Sequence, residues 1–214
     1  MLEIWWLRHG STDWNKEKRW QGHSDVPLNE LGRSQARALA AQFKGIHFDG
    51  VWSSDLSRSM DTARLSLPEG TIIHPDPRLR EIPMGIVEGR TWQELSPQEQ
   101  AQIDAWWANP YDTYFPGSEE SLGDVVRRVR SWQSELPQEG RVLAFSHGGT
   151  IRTMLWEIVG APTPSRPWSA ELGNTGIMRV RYVGQSPTLL SFNDMSHLPG
   201  SWDLPPAQNV PGSH

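Results

Sequence analysis

Cysteine is missing from all 214 residues, which excludes disulfides, thiolate metal ligands and cysteine nucleophiles together. Lysine is confined to Lys16, Lys18 and Lys44, so 17 of the 20 basic residues are arginine. Positive charge is not in excess either. A net charge of −5 and a pI near 5.8 argue against a general nucleic-acid or membrane-surface role. No apolar stretch has the length of a membrane span, and the N-terminal apolar run breaks at Arg8 with no basic region ahead of it. A soluble, cytoplasmic protein without a signal peptide is expected. The Gly-rich lysine loop of nucleotide triphosphatases is absent, as are the Gly-x-Ser-x-Gly elbow of serine hydrolases and paired His-x-x-x-His ligands.

What is present starts with alternating strands and helices. Leu2–Leu7, Gly50–Ser53, Thr71–His74 and Arg141–Ser146 read as strands bounded by polar loops, and Thr175–Val183 and Thr188–Phe192 as a final pair. Helices are expected over Asn29–Phe43, with Leu31, Gln35, Leu39 and Phe43 on one face, and over Asp55–Leu65, Ser121–Leu136 and Thr150–Val159. This predicts a three-layer α/β/α domain over 1–214 with a mostly parallel central sheet. The alternation lapses at about 82–120, read as a small lid insertion with one helix near Ser96–Ala108 and an aromatic cluster of Trp106, Trp107, Tyr111, Tyr114 and Phe115. That cluster is expected to pack the insertion onto the core rather than to contact substrate. The proline-rich tail of about 194–214 is expected to be irregular.

In such sheets ligands bind beyond the C-terminal ends of the strands. Two similar phrases fall there, Arg8-His9-Gly10 after the first strand and Ser146-His147-Gly148 after the fourth, joined by Arg58 just past the second. Gly10 and Gly148 permit close approach of a ligand to the main chain. Two imidazoles and two guanidiniums converging on one point would repel one another unless an anion sat among them, and a phosphoryl group fits. Arg8 and Arg58 would each offer two-pronged bonds and His147 a further one, while a neutral His9 attacks phosphorus. A carboxylic acid near the rim would protonate the leaving group. His23, His47, His74, His197 and His214 are read as structural, and Arg127, Arg128 and Arg130 as a solvated stripe.

The blocks LRHGSTDWN, SSDLSRSMDTA, LREIPMGIVEGRTW, PGSEES and FSHGG, in this order, resemble the histidine phosphatase (phosphoglycerate-mutase-like) superfamily over residues 1 to about 160. The resemblance implies that His9 is the nucleophile, that Arg8, Arg58 and His147 hold the phosphoryl group, and that Glu81 is the general acid. It further implies that Asn15, Gln21 and Gly22 line the pocket, and that neither a metal nor an organic cofactor is needed. Ser11 departs from the Glu or Gln common in the family.

Members divide by the fate of the phosphohistidine, which goes to water or back to substrate. A mutase holds a substrate with further anionic groups and wants a basic lid. Between Ile82 and Val126 this chain has only Arg90 against eight acidic residues, which favours hydrolysis of a small phosphomonoester. The chain resembles the short bacterial type that includes alpha-ribazole and broad-specificity phosphatases. The alternatives are mutase-type transfer, a metal hydrolase using His9, His147 and Glu81, and a non-catalytic phospho-ligand module.

Overall fold

The computed structural model describes residues 1–159 and 170–199. In chain order its elements are β1 (Leu2–Arg8), α1 (Asp13–Lys16), α2 (Glu30–Ala38), α3 (Ala40–Phe43), β2 (Gly50–Ser53), α4 (Ser57–Ser66) and β3 (His74–Pro75). There follow α5 (Pro97–Trp106), α6 (Leu122–Gln133), β4 (Gly140–Ser146), α7 (Gly148–Val159), β5 (Ile177–Val183) and β6 (Ser186–Asp194).

Two apolar rows alternate along β1: Ile4 and Trp6 face one side and Trp5 and Leu7 the other, all buried. A strand buried on both faces belongs inside a sheet. The six strands run in the order β3-β2-β4-β1-β5-β6, parallel from β3 to β1 and antiparallel beyond it. On one side Ile4 and Trp6 pack with Leu122, Val125, Val129 and Trp132 of α6 and with Ile151 and Met154 of α7. On the other, Trp5 and Leu7 pack with Leu39, Phe43 and Ala63. The result is an α/β fold with helices on both faces of a mostly parallel sheet. Among the described residues no helix is long and apolar enough to cross a membrane.

The register brings the strand ends level. Arg8 lies opposite Ser146, and Ser53 opposite Phe145. His9, Ser54 and His147, one residue further on each strand, therefore meet on one rim.

Four expectations are corrected. The helix from Asn29 divides at Leu39 into α2 and α3, and Leu31 is 60 % exposed. Gly32 and Ala36 face inward instead, because a Cβ on Gly32 would lie 2.0 Å from the Ser11 carbonyl oxygen and a larger inward residue has no room. The third strand shrinks to His74–Pro75: Thr71 donates both its N–H and its hydroxyl to Pro68, and Pro75 has no N–H to extend the edge. Arg127 and Arg130 are exposed and paired with Asp124 and Glu157, but Arg128 turns inward, its side chain 16 % exposed. The final strand is longer than expected and reaches Asp194; the tail beyond residue 199 lies outside the described residues.

In the insertion Trp106 meets Trp107 and Phe115 edge-on, with ring centroids at 4.5 and 4.9 Å. Trp106 and Phe115 are buried in the core on the α6 and α7 side, while Tyr114 is exposed. These rings anchor the insertion to the body of the protein.

Candidate active site

His9 leaves the end of β1 with its amide bonded to the Ser146 carbonyl at 3.0 Å. Its ring is buried, and Nδ1 lies 2.7 Å from the Gly10 carbonyl oxygen. A carbonyl only accepts, so Nδ1 carries the proton and Nε2 keeps its lone pair. Burial holds the His9 pKa well below the ordinary imidazole range, and the charges of Arg58 and Arg8 push the same way. The ring is therefore neutral.

The loop that carries it is tied on three sides. Gly10 N donates to Thr62 Oγ1 at 2.9 Å, and that hydroxyl donates to the Arg58 carbonyl at 2.6 Å, one turn back in α4. Asn174 Nδ2 donates to the His9 carbonyl at 3.0 Å, and Thr175 N points at the carbonyls of Arg8 and His9 at 3.1 and 3.3 Å. Thr175 makes this approach at a φ of 63°, a left-handed backbone uncommon for a β-branched residue. His197 Nε2 meets the Thr175 hydroxyl at 2.9 Å, in keeping with a structural histidine.

His147 stands across the rim, its ring centroid 5.2 Å from that of His9. Ser54 Oγ bonds its Nε2 at 2.8 Å, and its buried Nδ1 has no hydrogen-bond partner. Burial first, then Arg58, depresses its pKa well below the usual value.

Arg58 is buried and donates Nη1 to Ser24 O at 2.7 Å and Nη2 to Gly22 O at 2.8 Å, while its Nε stays without a partner. Arg8 donates Nη1 to Leu172 O and likewise has an unpartnered Nε. Burial brings Arg58 down to about 10. A third guanidinium, Arg152 of α7, is brought down to about 9 by burial and by Arg8. A Cβ on Gly148 would lie 3.2 Å from Arg152 Nη2 and 3.3 Å from Arg8 Nε, so this glycine keeps the wall of the basin thin. Glu81 is the carboxylate whose charge acts on all three arginines. It accepts from Gly149 N and Thr150 N, each at 3.0 Å, at the N-terminus of α7, a backbone geometry suited to anions.

Asn15 Oδ1 accepts from Thr12 N and Thr12 Oγ1 at 3.1 Å and from Asn174 Nδ2 at 3.3 Å. Gln21 is buried with its Oε1 unpartnered, and Gly22 is left-handed with a φ of 49°. The Gly22 carbonyl is thus tied to Arg58, and Asn15, through Asn174, to the His9 carbonyl, while Gln21 is placed only by preceding Gly22. Sequence reasoning missed Ser54, Thr62, Arg152 and Asn174. Only Arg152 carried a usable signal, since it lies four residues after Gly148 and so shares that helix face. Among the described residues no group of three or more His, Asp or Glu side chains could hold a metal ion.

A sequence model of the histidine phosphatase superfamily (branch 1) matches residues 4–195. The chain belongs to this superfamily. Its curated relatives include a probable phosphoglycerate mutase, GpmB, of Cronobacter sakazakii, 36 % identical over 208 residues covering 92 % of this chain and 95 % of that one. Among solved structures, Bacillus stearothermophilus YhfR superposes with a TM-score of 0.82 at 29 % identity, covering 92 % of this chain and 99 % of its own. A phosphoserine phosphatase mutant of Entamoeba histolytica, in complex with phosphoserine, gives a TM-score of 0.77 at 29 % identity over 92 % and 100 % of the two chains. Superfamily relatives of this chain thus carry both phosphatase and mutase names.

Proposed function

We propose that this histidine phosphatase superfamily member hydrolyses small phosphomonoesters through a phosphohistidine on His9. The observation that carries the reading is a buried, neutral imidazole with Nε2 left bare by the Nδ1–Gly10 bond, on a rim that also holds buried Arg58 and half-buried Arg8 and Arg152, the last two meeting at Gly148. Arg8, Arg58 and His147 hold the phosphoryl oxygens, with Asn15, Gln21, Gly22 and Gly148 lining the pocket. His9 Nε2 forms a bond to phosphorus as the bond to the ester oxygen breaks, and Glu81 gives that oxygen its proton. Water then attacks the phosphohistidine, Glu81 takes the water's proton, and the N–P bond breaks to release phosphate and restore His9. Neutralisation of the developing charge by fixed donors supplies most of the rate.

Hydrolysis is preferred over transfer because the insertion is acidic: Arg90, the lone basic residue between Ile82 and Val126, is spent on Glu99 at 2.6 Å. The mutase reading draws on the name carried by the curated relatives. A panel of phosphomonoesters that includes 3-phosphoglycerate separates the two. Phosphate release from several esters is expected, with a base-stable, acid-labile phosphoprotein that His9→Ala abolishes. Conversion of 3-phosphoglycerate to its isomer faster than phosphate release would establish the mutase, and turnover surviving in His9→Ala would remove the nucleophile assignment.

A further inference from the structure

The reaction steps above use neither Glu120, in the block PGSEES, nor Arg128, two turns into α6. The two side chains form a two-pronged pair, Nε to Oε1 at 2.7 Å and Nη2 to Oε2 at 3.2 Å. They are 19 % and 16 % exposed. A solvated pair would contribute little, but the remaining donors of Arg128 are directed at the backbone that carries Glu81. Nη1 donates to the Arg78 carbonyl at 2.6 Å and Nη2 to the Glu81 carbonyl at 3.2 Å. The two carbonyls between are taken from the pocket side: Ser146 Oγ donates to Leu79 O and Thr150 Oγ1 to Arg80 O, both at 2.7 Å. His23 Nε2 reaches the Glu81 carbonyl at 2.8 Å.

Every carbonyl from Arg78 to Glu81 is therefore held by a side chain. The segment leaves a three-residue turn, Pro77–Leu79, and enters no strand or α-helix, so no ladder of its own fixes it. These bonds hold its backbone, while burial of Leu79 and Ile82 and the Arg80–Asp55 pair hold its side chains. Ser146 and Thr150 tie it to the strand and helix flanking His147, and Arg128 ties it to α6.

We propose that Arg128, aligned by Glu120, is the positioning residue for Glu81. It touches no substrate; it fixes the peptide from which the carboxylate reaches the leaving oxygen. The proposal rests on the reading of Glu81 as the proton donor. A misplaced donor hurts most where the leaving group most needs a proton, whereas loosened packing slows all substrates alike.

The test is kcat/KM for p-nitrophenyl phosphate, a substituted aryl series and an alkyl phosphate such as glycerol 2-phosphate. It is measured for wild type, Glu81→Gln, Arg128→Met, Arg128→Lys and Glu120→Gln. Arg128→Met is expected to lose about tenfold or more on the alkyl ester beyond its loss on p-nitrophenyl phosphate, a fraction of what a general acid supplies. Arg128→Lys should recover part of that difference, and Arg128→Met should add little to Glu81→Gln in the double variant. Equal losses on both esters, or none, would overturn the positioning role. If Arg128→Met fails to fold by circular dichroism, Arg128→Lys and Glu120→Gln decide by the same selective loss. Should Glu81→Gln itself leave the leaving-group dependence unchanged, the proton-donor reading falls and this proposal with it. A steepened dependence in Glu81→Gln alone would remove only the role of Arg128.

Discussion

His9 donates its one ring proton to the carbonyl of the next residue, which leaves Nε2 with its lone pair and needs no second side chain. That economy has a consequence for pH. Burial depresses the pKa values of His9, His147 and His197 in the folded protein. The unfolded chain takes up these protons below about pH 6.5 while the folded one resists them, so stability is full above that pH and falls as pH drops through it. Each histidine adds a slope of up to about 1.4 kcal/mol per pH unit. Urea midpoints should fall between pH 7.5 and 5.5, and fall less steeply in His9→Ala; parallel slopes would contradict burial of a neutral His9. At this scale the residues at strand ends were legible, because a histidine or arginine between an apolar run and a glycine has few structural uses. Arg128 was misread because its place on the polar stripe of α6 says nothing of a carbonyl waiting above it. Asn174 left no mark, since its role depends on a turn that only the fold brings beside β1.

Among the elements, α2 bears most directly on the His9 loop. A Cβ on Gly10 would sit 2.5 Å from the Gly32 carbonyl oxygen, and one on Gly32 would sit 2.0 Å from that of Ser11, so backbone lies against backbone. Gly32→Ala should cost about 1–3 kcal/mol through overpacking and lower kcat by displacing the His9 loop, read by thermal melts and steady-state assays together. A gain in stability with full activity would show that the loop yields. The helices read from sequence were sound where an apolar stripe and a cap coincided. Ser121 begins α6 with a reciprocal bond to Asp124, and Val125, Val129 and Trp132 follow at helical spacing. Over α2 and α3 the reading of the inner face failed at Leu31 alone: Leu39 and Phe43 are buried as expected and Gln35 reaches Ser11 N, but Gly32 and Ala36 take the place of Leu31 because close approach there excludes large apolar residues.

At the level of the whole molecule, three guanidiniums whose pKa values burial lowers, Arg8, Arg58 and Arg152, gather positive charge at one rim. An anion bound there adds stability by mass action, about 2.7 kcal/mol at a hundred times its dissociation constant. Inorganic phosphate should therefore raise the melting temperature above that in chloride of equal ionic strength, and Arg8→Ala should lose most of the rise. Turnover should persist in excess chelator, since arginines beside His9 and His147 oppose a cation. The layered sheet was legible from the alternation of elements, but the order of its strands was not, because pairing joins residues far apart in the chain. That order governs how the protein is made. β1, made before either of its partners, lies between β4 and β5, neither of which begins before Gly140. Until the chain has been made past Gly140, Trp5, Trp6 and Leu7 have neither flanking strand, and an apolar strand with both edges open is the kind of segment through which unfinished chains associate.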